Sequence, residues 1–348
     1  MPCGEYFTDY TARQGLFRWR IQKAALVLGL PVPFLLPFVL SGGDVSLLSQ
    51  VYIFAIAVLG LNVILGYAGE IVLAQGAFMA IGAYTTSRLI GAELGGVAVG
   101  LLPSVLVGGL MASLVAVLFG LPSFRVKGFY IAISTLALQF ISEWFFNNGE
   151  AAFVHGGAQQ TMPASAGLVG PLLTVGGDNA IYFIALATML VFALLSLNLS
   201  RTGIGRTFRA VHENDLAAAV LGVDVFKNKL FAFAIGGFMI GVSGGLFAFY
   251  IGFISPEFFT LTLTLEHYVM LLFGGLGRVW GALLGTGVVT LLRDVLRDLF
   301  SAVAPNATAL IPVIFGVVII VVLAVEPKGV LAALGQVKEY LRKWPYAY

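Results

Sequence analysis

Again and again this chain runs for about twenty residues without a charge, the length an α-helix needs to cross a bilayer. Residues 45–66, 97–119, 180–199 and 230–254 are such runs. In lipid every backbone N–H and C=O must be satisfied within the protein, so spans of this kind are helices. The expected fold is therefore all-α: a polytopic membrane protein of about ten transmembrane or re-entrant helices. Composition agrees, with 59% hydrophobic and 10% charged residues, against about 25% charged in a soluble protein.

Charge placement sets the orientation. Arg13, Arg18, Arg20 and Lys23 precede the first span, 24–40, and hold residues 1–23 in the cytoplasm. That segment is read as retained, since no small-residue cleavage site follows it. Pro31, Pro33 and Pro37 make the first helix irregular, and Gly42, Gly43 and Asp44 end it outside. Spans at 50–66, 71–90 and 97–119 lead to Arg125 and Lys127, inside again. A fifth span carries Glu143 near its outer end. Residues 147–179 form an outside loop without Lys or Arg, and spans at 180–199 and 230–254 follow. A single crossing over 265–292 would strand Lys328, Lys338, Arg342 and Lys343 outside. Splitting that run at Gly274, Gly275, Leu276, Gly277 and Arg278 restores a cytoplasmic tail. A glycine-rich interruption at membrane depth is tolerated where backbone lines a cavity. Arg293, Asp294, Arg297 and Asp298 then form a short outside amphipathic stretch, and a last span covers 309–325. Both termini are expected to be cytoplasmic, with a membrane domain at 24–325 and a tail at 326–348.

The longest polar interruption, 200–229, carries Arg201, Arg206, Arg209, Lys227 and Lys229 and lies inside. Residues 207–221 read as one amphipathic helix, with Phe208, Val211, Leu216, Ala219 and Val220 on its apolar stripe. Gly222 is placed to close it at C′. Elsewhere, Gly237, Gly241 and Gly245 repeat at spacing four, as do Gly277, Gly281 and Gly285, the small-residue pattern of close helix packing. Gly69, Gly76, Gly82 and Ala83 allow similar approach, and Asn62 and Gln75 offer polar contacts inside the membrane.

Several chemistries lack their residues. Cys3 is the only cysteine, and His155, His212 and His267 lie far apart, so neither a disulfide framework nor a metal centre is indicated. No phosphate-binding Gly-x-x-x-x-Gly-Lys-Ser/Thr loop and no HExxH occurs. The chain cannot by itself energise transport through ATP, and nothing points to nucleic acid. Gly241, Val242, Ser243, Gly244 and Gly245 fit an intramembrane serine-protease pattern. That reading needs a histidine at the same depth, whereas His267 is expected near an outer edge. An ion-coupled secondary transporter needs acidic relays within spans, and Glu70, Glu143 and Glu266 are expected near span ends.

Four blocks carry a family resemblance: LNVILGYAGEIVLAQGAFMAIGAYTT, RVKGFYIAISTLALQFISEWFFNN, GRTFRAVHENDLAAAVLGVD and SPEFFTLTLTLEHYVMLLFGGLGRVWGALLGTGVVTLL. In this order they resemble the permeases of branched-chain amino acid ABC importers, in particular the longer, LivM type. Val72, Leu73, Ala74 and Gln75 stand where that family usually has Ser-Leu-Gly-(His or Gln), and HGGAQQTMPASAG matches only half of its loop pattern. The resemblance implies a second homologous permease, two cytosolic ATPases that bind ATP and Mg, and an extracytoplasmic substrate-binding protein. No cofactor is implied in this chain, which would sit in a bacterial inner membrane. Arg206, Arg209, Glu213, Asn214, Asp215 and Gly222 match the family's coupling loop. Asn62, Gly69, Gln75, Gly82, Glu143, Gly241, Gly274, Gly275 and Gly277 are the residues expected along the translocation path.

Overall fold

The computed structural model describes residues 31–90, 92–94, 97–125, 130–148, 159–163, 165–168 and 174–303, with 316, 317 and 320. The segment 1–23, the first part of the 24–40 span, all but those three residues of the 309–325 span, and the tail lie outside the described residues. Among those described, five helices are long and apolar enough to cross a membrane: Gly42–Tyr67, Leu101–Ser123, Asp178–Leu199, Val225–Ile251 and Val279–Arg297. The chain is thus an all-α, multi-pass membrane protein.

Pro31–Leu35 (α1) tightens into a 3-10 turn at Leu36–Phe38, as its prolines lead one to expect. Gly42, Gly43 and Asp44 do not end this helix. They open the next, α2 (Gly42–Leu61), because the Ser41 hydroxyl accepts the Asp44 N–H and caps it. Helix α2 is apolar on every side, and 83% of its most apolar stretch is buried, as befits a helix at the centre of a bundle. It packs on α6 (Asp178–Leu199) and α9 (Val225–Ile251), while α3 (Gln75–Leu89) and α4 (Leu101–Ser123) pack on α9 and on each other, with α5 (Tyr130–Asn148) against α3 and α4. Among the described residues the strands form only short antiparallel pairs. Glu93–Leu94 (β1) pairs with Val97–Ala98 (β2), Gln160–Thr161 (β3) with Phe253–Ile254 (β6), and Ser165–Gly167 (β4) with Thr174–Gly176 (β5).

The α3–α4–α9 crossing is where small residues act. A Cβ on Gly82 would run into the Gly241 carbonyl, and one on Gly241 would meet the Ala112 methyl. Gly237 faces Ala116, and Gly245 faces Thr86 and Val105. The spacing-of-four glycines therefore do bring backbones together. Ser243, in the same stripe, is buried and donates to the Ile53 carbonyl at 2.7 Å.

The expected 71–90 span is corrected. Helix α3 starts only at Gln75 and is 15 residues long. The reason is that residues 72–77 find hydrogen-bond partners on side chains of other elements. The Val72 N–H donates to the Tyr268 hydroxyl (2.7 Å), which donates back to the Val72 carbonyl (2.8 Å). Leu73 N–H donates to Thr135 (3.0 Å), Gly76 N–H to Thr264 (2.9 Å) and Ala77 N–H to Gln139 Oε1 (2.8 Å). Such substitutes are what non-helical backbone needs where water is scarce. Thr264→Val keeps the shape and orphans the buried Gly76 N–H, at a cost of about 1–3 kcal/mol. A lowered thermal midpoint in detergent is expected, while Thr188→Val, which loses only a bond to the carbonyl four residues back, melts like wild type.

The split of 265–292 is present. Leu261–Gly274 (α10) and Val279–Val303 (α11) pack on each other across a reversal at residues 275–278. Gly275 (φ 105°) and Gly277 (φ 73°) take up conformations that side chains with a Cβ rarely adopt. Close contact of the two arms depends on Gly274 facing Gly281 and Gly285. Arg293 and Asp294 do not form a separate outside stretch. They continue α11, from which Arg293 reaches back to Glu266 on α10 at 2.6 Å. Glu266 lies in the second turn of α10, close to the start of that helix.

Candidate functional site

Two interruptions in the helical framework face each other. One comprises the π-turn Asn62–Tyr67 at the end of α2, the Gly69 turn and the extended approach to α3. The other comprises the 3-10 turn Pro256–Phe259, α10 and the 275–278 reversal. Asn62 Oδ1 accepts the Gly277 N–H at 2.9 Å, while Gly66 lies so near Gly277 that a Cβ would stand 2.7 Å from that nitrogen. Glu143 on α5 accepts the Leu261 N–H at 3.1 Å, which opens α10, and the Gln139 amide at 2.9 Å. Gln139 donates onward to the Phe259 carbonyl at 2.7 Å. Of the residues singled out from sequence, Asn62, Gly69, Gln75, Glu143, Gly274, Gly275 and Gly277 thus fall on or against these two segments. Gly82 and Gly241 lie at the helix crossing instead.

Gln75 and His267 are fully buried, and none of their side-chain polar atoms finds a hydrogen-bond partner. His267, expected from the sequence near an outer edge of the membrane, sits in the second turn of α10. It is enclosed in α10, edge-on to Phe54 at 4.9 Å between ring centroids. Polar groups in this condition are costly unless function retains them.

Beneath the interruptions lies the polar loop, residues 200–229. It is not a single helix over 207–221 but two, α7 (Gly203–Glu213) and α8 (Asp215–Val220). Asn214 separates them: its backbone is extended, and its side chain accepts the Leu216 and Ala217 N–H groups, both at 3.0 Å. An asparagine that caps the following helix competes with continuation of the preceding one. Gly222 (φ 87°) sits at C′, with Val223 N–H on the Ala218 carbonyl and Gly222 N–H on that of Ala219, the Schellman arrangement. The Asp224 side chain then caps α9 through the Lys227 N–H (3.1 Å); that bond and the Lys227 ammonium hold its carboxyl below the usual range.

The apolar stripe also divides. Phe208 and Val211 of α7 and Ala218 of α8 are buried. Leu216, Val220 and Leu221 point to solvent, with Val220 87% and Leu221 83% exposed. Arg206, Arg209, Glu213, Asn214 and Asp215 are also at the surface. The loop is fastened to the first interruption at three points. Arg209, bonded to the Ser200 carbonyl at 2.5 Å, lies over the Tyr67 ring at 5.9 Å. His212 covers Gly69 closely enough to exclude a Cβ there. Lys229, at the start of α9, contacts both Glu70 (2.7 Å) and Asp215 (2.6 Å). Tyr67, Gln139 and Thr264 went unnoticed in the sequence, and Glu70 and Lys229 were read only for their charge, because their partners are remote along the chain.

The comparisons with known proteins follow the same outline. A family model described as branched-chain amino acid transport system / permease component matches residues 45–323. The high-affinity branched-chain amino acid transport system permease protein LivM of Escherichia coli is 32% identical over 297 residues, covering 80% of this chain and 69% of that protein. A probable branched-chain amino acid permease, LivM of Methanocaldococcus jannaschii, is 25% identical over 66% of this chain and 68% of its own length. The autoinducer 2 import permease LsrC of Yersinia enterocolitica is 33% identical over a shorter stretch, 31% of either chain. No solved structure matches. With the family model spanning the bundle from α2 onward, the chain belongs to the family of permease components of branched-chain amino acid transport systems.

Proposed function

We propose that this chain is the permease subunit of an ATP-driven importer for branched-chain amino acids or related small amino-acid, amide or acid solutes. It works in a bacterial inner membrane with about ten membrane segments and both ends cytoplasmic. It acts with a second homologous permease, two cytosolic ATPases that bind ATP and Mg, and an extracytoplasmic substrate-binding protein. The observation that carries this reading is a cytoplasmic helix pair with an uncovered apolar end, fastened to one of two interrupted helices.

An ATPase covering Leu216, Val220 and Leu221, with Arg206, Arg209, Glu213, Asn214 and Asp215 at its rim, would move α7 and α8 as it closes on ATP. Their ties to residues 67–70 pass that motion to the π-turn and, through Asn62, to Gly277. Interrupted helices are where carriers of this general kind expose backbone groups to their cargo. Gln75 and Glu143 flank the path, and Gly274, Gly275 and Gly277 let it reshape. Gly82 and Gly241 keep the neighbouring crossing rigid. The surroundings are mainly apolar, which suits a zwitterion with an aliphatic side chain.

The test is purification of the tagged chain in mild detergent, then uptake of labelled leucine by vesicles holding all the co-purifying subunits. Two ATPase-sized proteins and a second permease should accompany it, and uptake should require ATP and the binding protein. A chain that purifies alone and moves solute with the proton gradient would overturn the reading.

A further inference from the structure

We propose that Lys229 is the positioning residue that couples α8 to the interrupted segment, as a clamp with one lasting and one releasable arm. The inference rests on the importer reading above and goes beyond it by assigning transmission to one ion-paired cluster. Its ammonium lies 2.7 Å from Glu70 Oε1 and 2.6 Å from Asp215 Oδ2. Lys229 is fixed by the second turn of α9, Glu70 follows the Gly69 turn, and Asp215 opens α8. Three separate backbone elements therefore meet on one nitrogen.

The arms differ in exposure. The Lys229 and Glu70 side chains are 14% and 12% exposed, whereas Asp215 is 48% exposed. A sheltered pair is hard to part, because either charge left alone has lost its water. A half-exposed carboxylate can exchange its partner for solvent at little cost. Movement of α8 would thus break and remake the Asp215 arm while Glu70 stays on Lys229. Without the ammonium, Glu70 and Asp215 would face each other as like charges, and α8 would be pushed off the turn it should drive.

The Arg209–Tyr67 and His212–Gly69 contacts involve α7 and stay in place in a Lys229 variant. Assembly with the ATPases is therefore expected to persist, since its apolar anchors Leu216, Val220 and Leu221 are exposed while Lys229 is sheltered.

The experiment uses the complete importer in proteoliposomes with the binding protein, measuring leucine uptake and ATP hydrolysis together. In Lys229→Met, hydrolysis should continue while uptake per ATP falls about tenfold, within the usual span of coupling between sites. Lys229→Arg should restore the ratio. A purely structural role would lower uptake and hydrolysis by the same factor, and that result, or an unchanged ratio, overturns the proposal. Should Lys229→Met fail to accumulate, Asp215→Asn decides, because it leaves the Glu70 pair intact. A lowered uptake per ATP supports the clamp and an unaltered one removes it. Wild-type vesicles that show no ATP-dependent uptake would instead defeat the importer reading itself.

Discussion

Replacing Gly82 with valine is expected to remove this protein from the membrane fraction. The position has no room to give. A Cβ there would overlap the Gly241 carbonyl, and the obstacle is backbone in the middle of α9. Overpacking of an ordinary core costs about 1–3 kcal/mol because side chains can shift. Here α3 and α9 would have to separate along their crossing, taking with them the Gly108 approach to the Gly82 carbonyl. The expected cost exceeds that range and takes a large share of the 5–15 kcal/mol that typically holds a protein folded. Membrane yield and the melting midpoint in detergent measure it. Gly42→Ala is the control: it meets nothing within 4 Å at the start of α2, and should leave both readings unchanged. A Gly82→Val protein with wild-type yield and midpoint would show that the close approach of α3 and α9 does not exist.

Val220→Asp is expected to do the opposite, leaving the chain intact and stripping it of its ATPases. Val220 is almost fully exposed in the isolated chain, so the substitution should alter stability by no more than about 0.5 kcal/mol. Inside an apolar groove the new carboxylate would be desolvated without a partner. A buried anchor of this kind is typically worth about 2 kcal/mol or more, or roughly thirtyfold in affinity. Titration of the purified permease pair with ATPase should show that loss with an unshifted melting midpoint. Unaltered ATPase binding would mean that the apolar end of α8 serves something else.

Much of the framework was legible because lipid leaves so little choice. Uncharged runs had to be helices, and the positive-inside rule required an even accounting of crossings, which placed the break at 274–278. Gly222 was readable for a local reason, as the glycine that follows the last turn. The α7–α8 break was also local and was nevertheless missed. Asn214 followed by Asp215 is a helix-start signal, but it sat inside an amphipathic pattern that ran on through it. The extended segment before α3 was not legible at all. Its residues are as apolar as a helix, and what releases them from helical bonding is a set of hydroxyls and an amide on Thr135, Gln139, Thr264 and Tyr268. The same holds for Lys229, whose pairing with Glu70 has no counterpart in sequence spacing, and for the enclosure of His267.

The Asn62–Gly277 bond joins positions 215 residues apart, and that separation has a consequence for how the protein is made. Helix α2 leaves the ribosome early, and because it is apolar all round it can wait in lipid without partners. Asn62 and the backbone just before α3 cannot wait on the same terms, since α10 and the reversal after it supply acceptors and donors that have not yet been synthesised. The nascent chain must carry these unsatisfied groups through most of translation, sheltered by the insertion machinery. The seam between the two interruptions is then closed among the last events of assembly, and a chain stopped before α10 would expose the defect by which membrane quality control could recognise it.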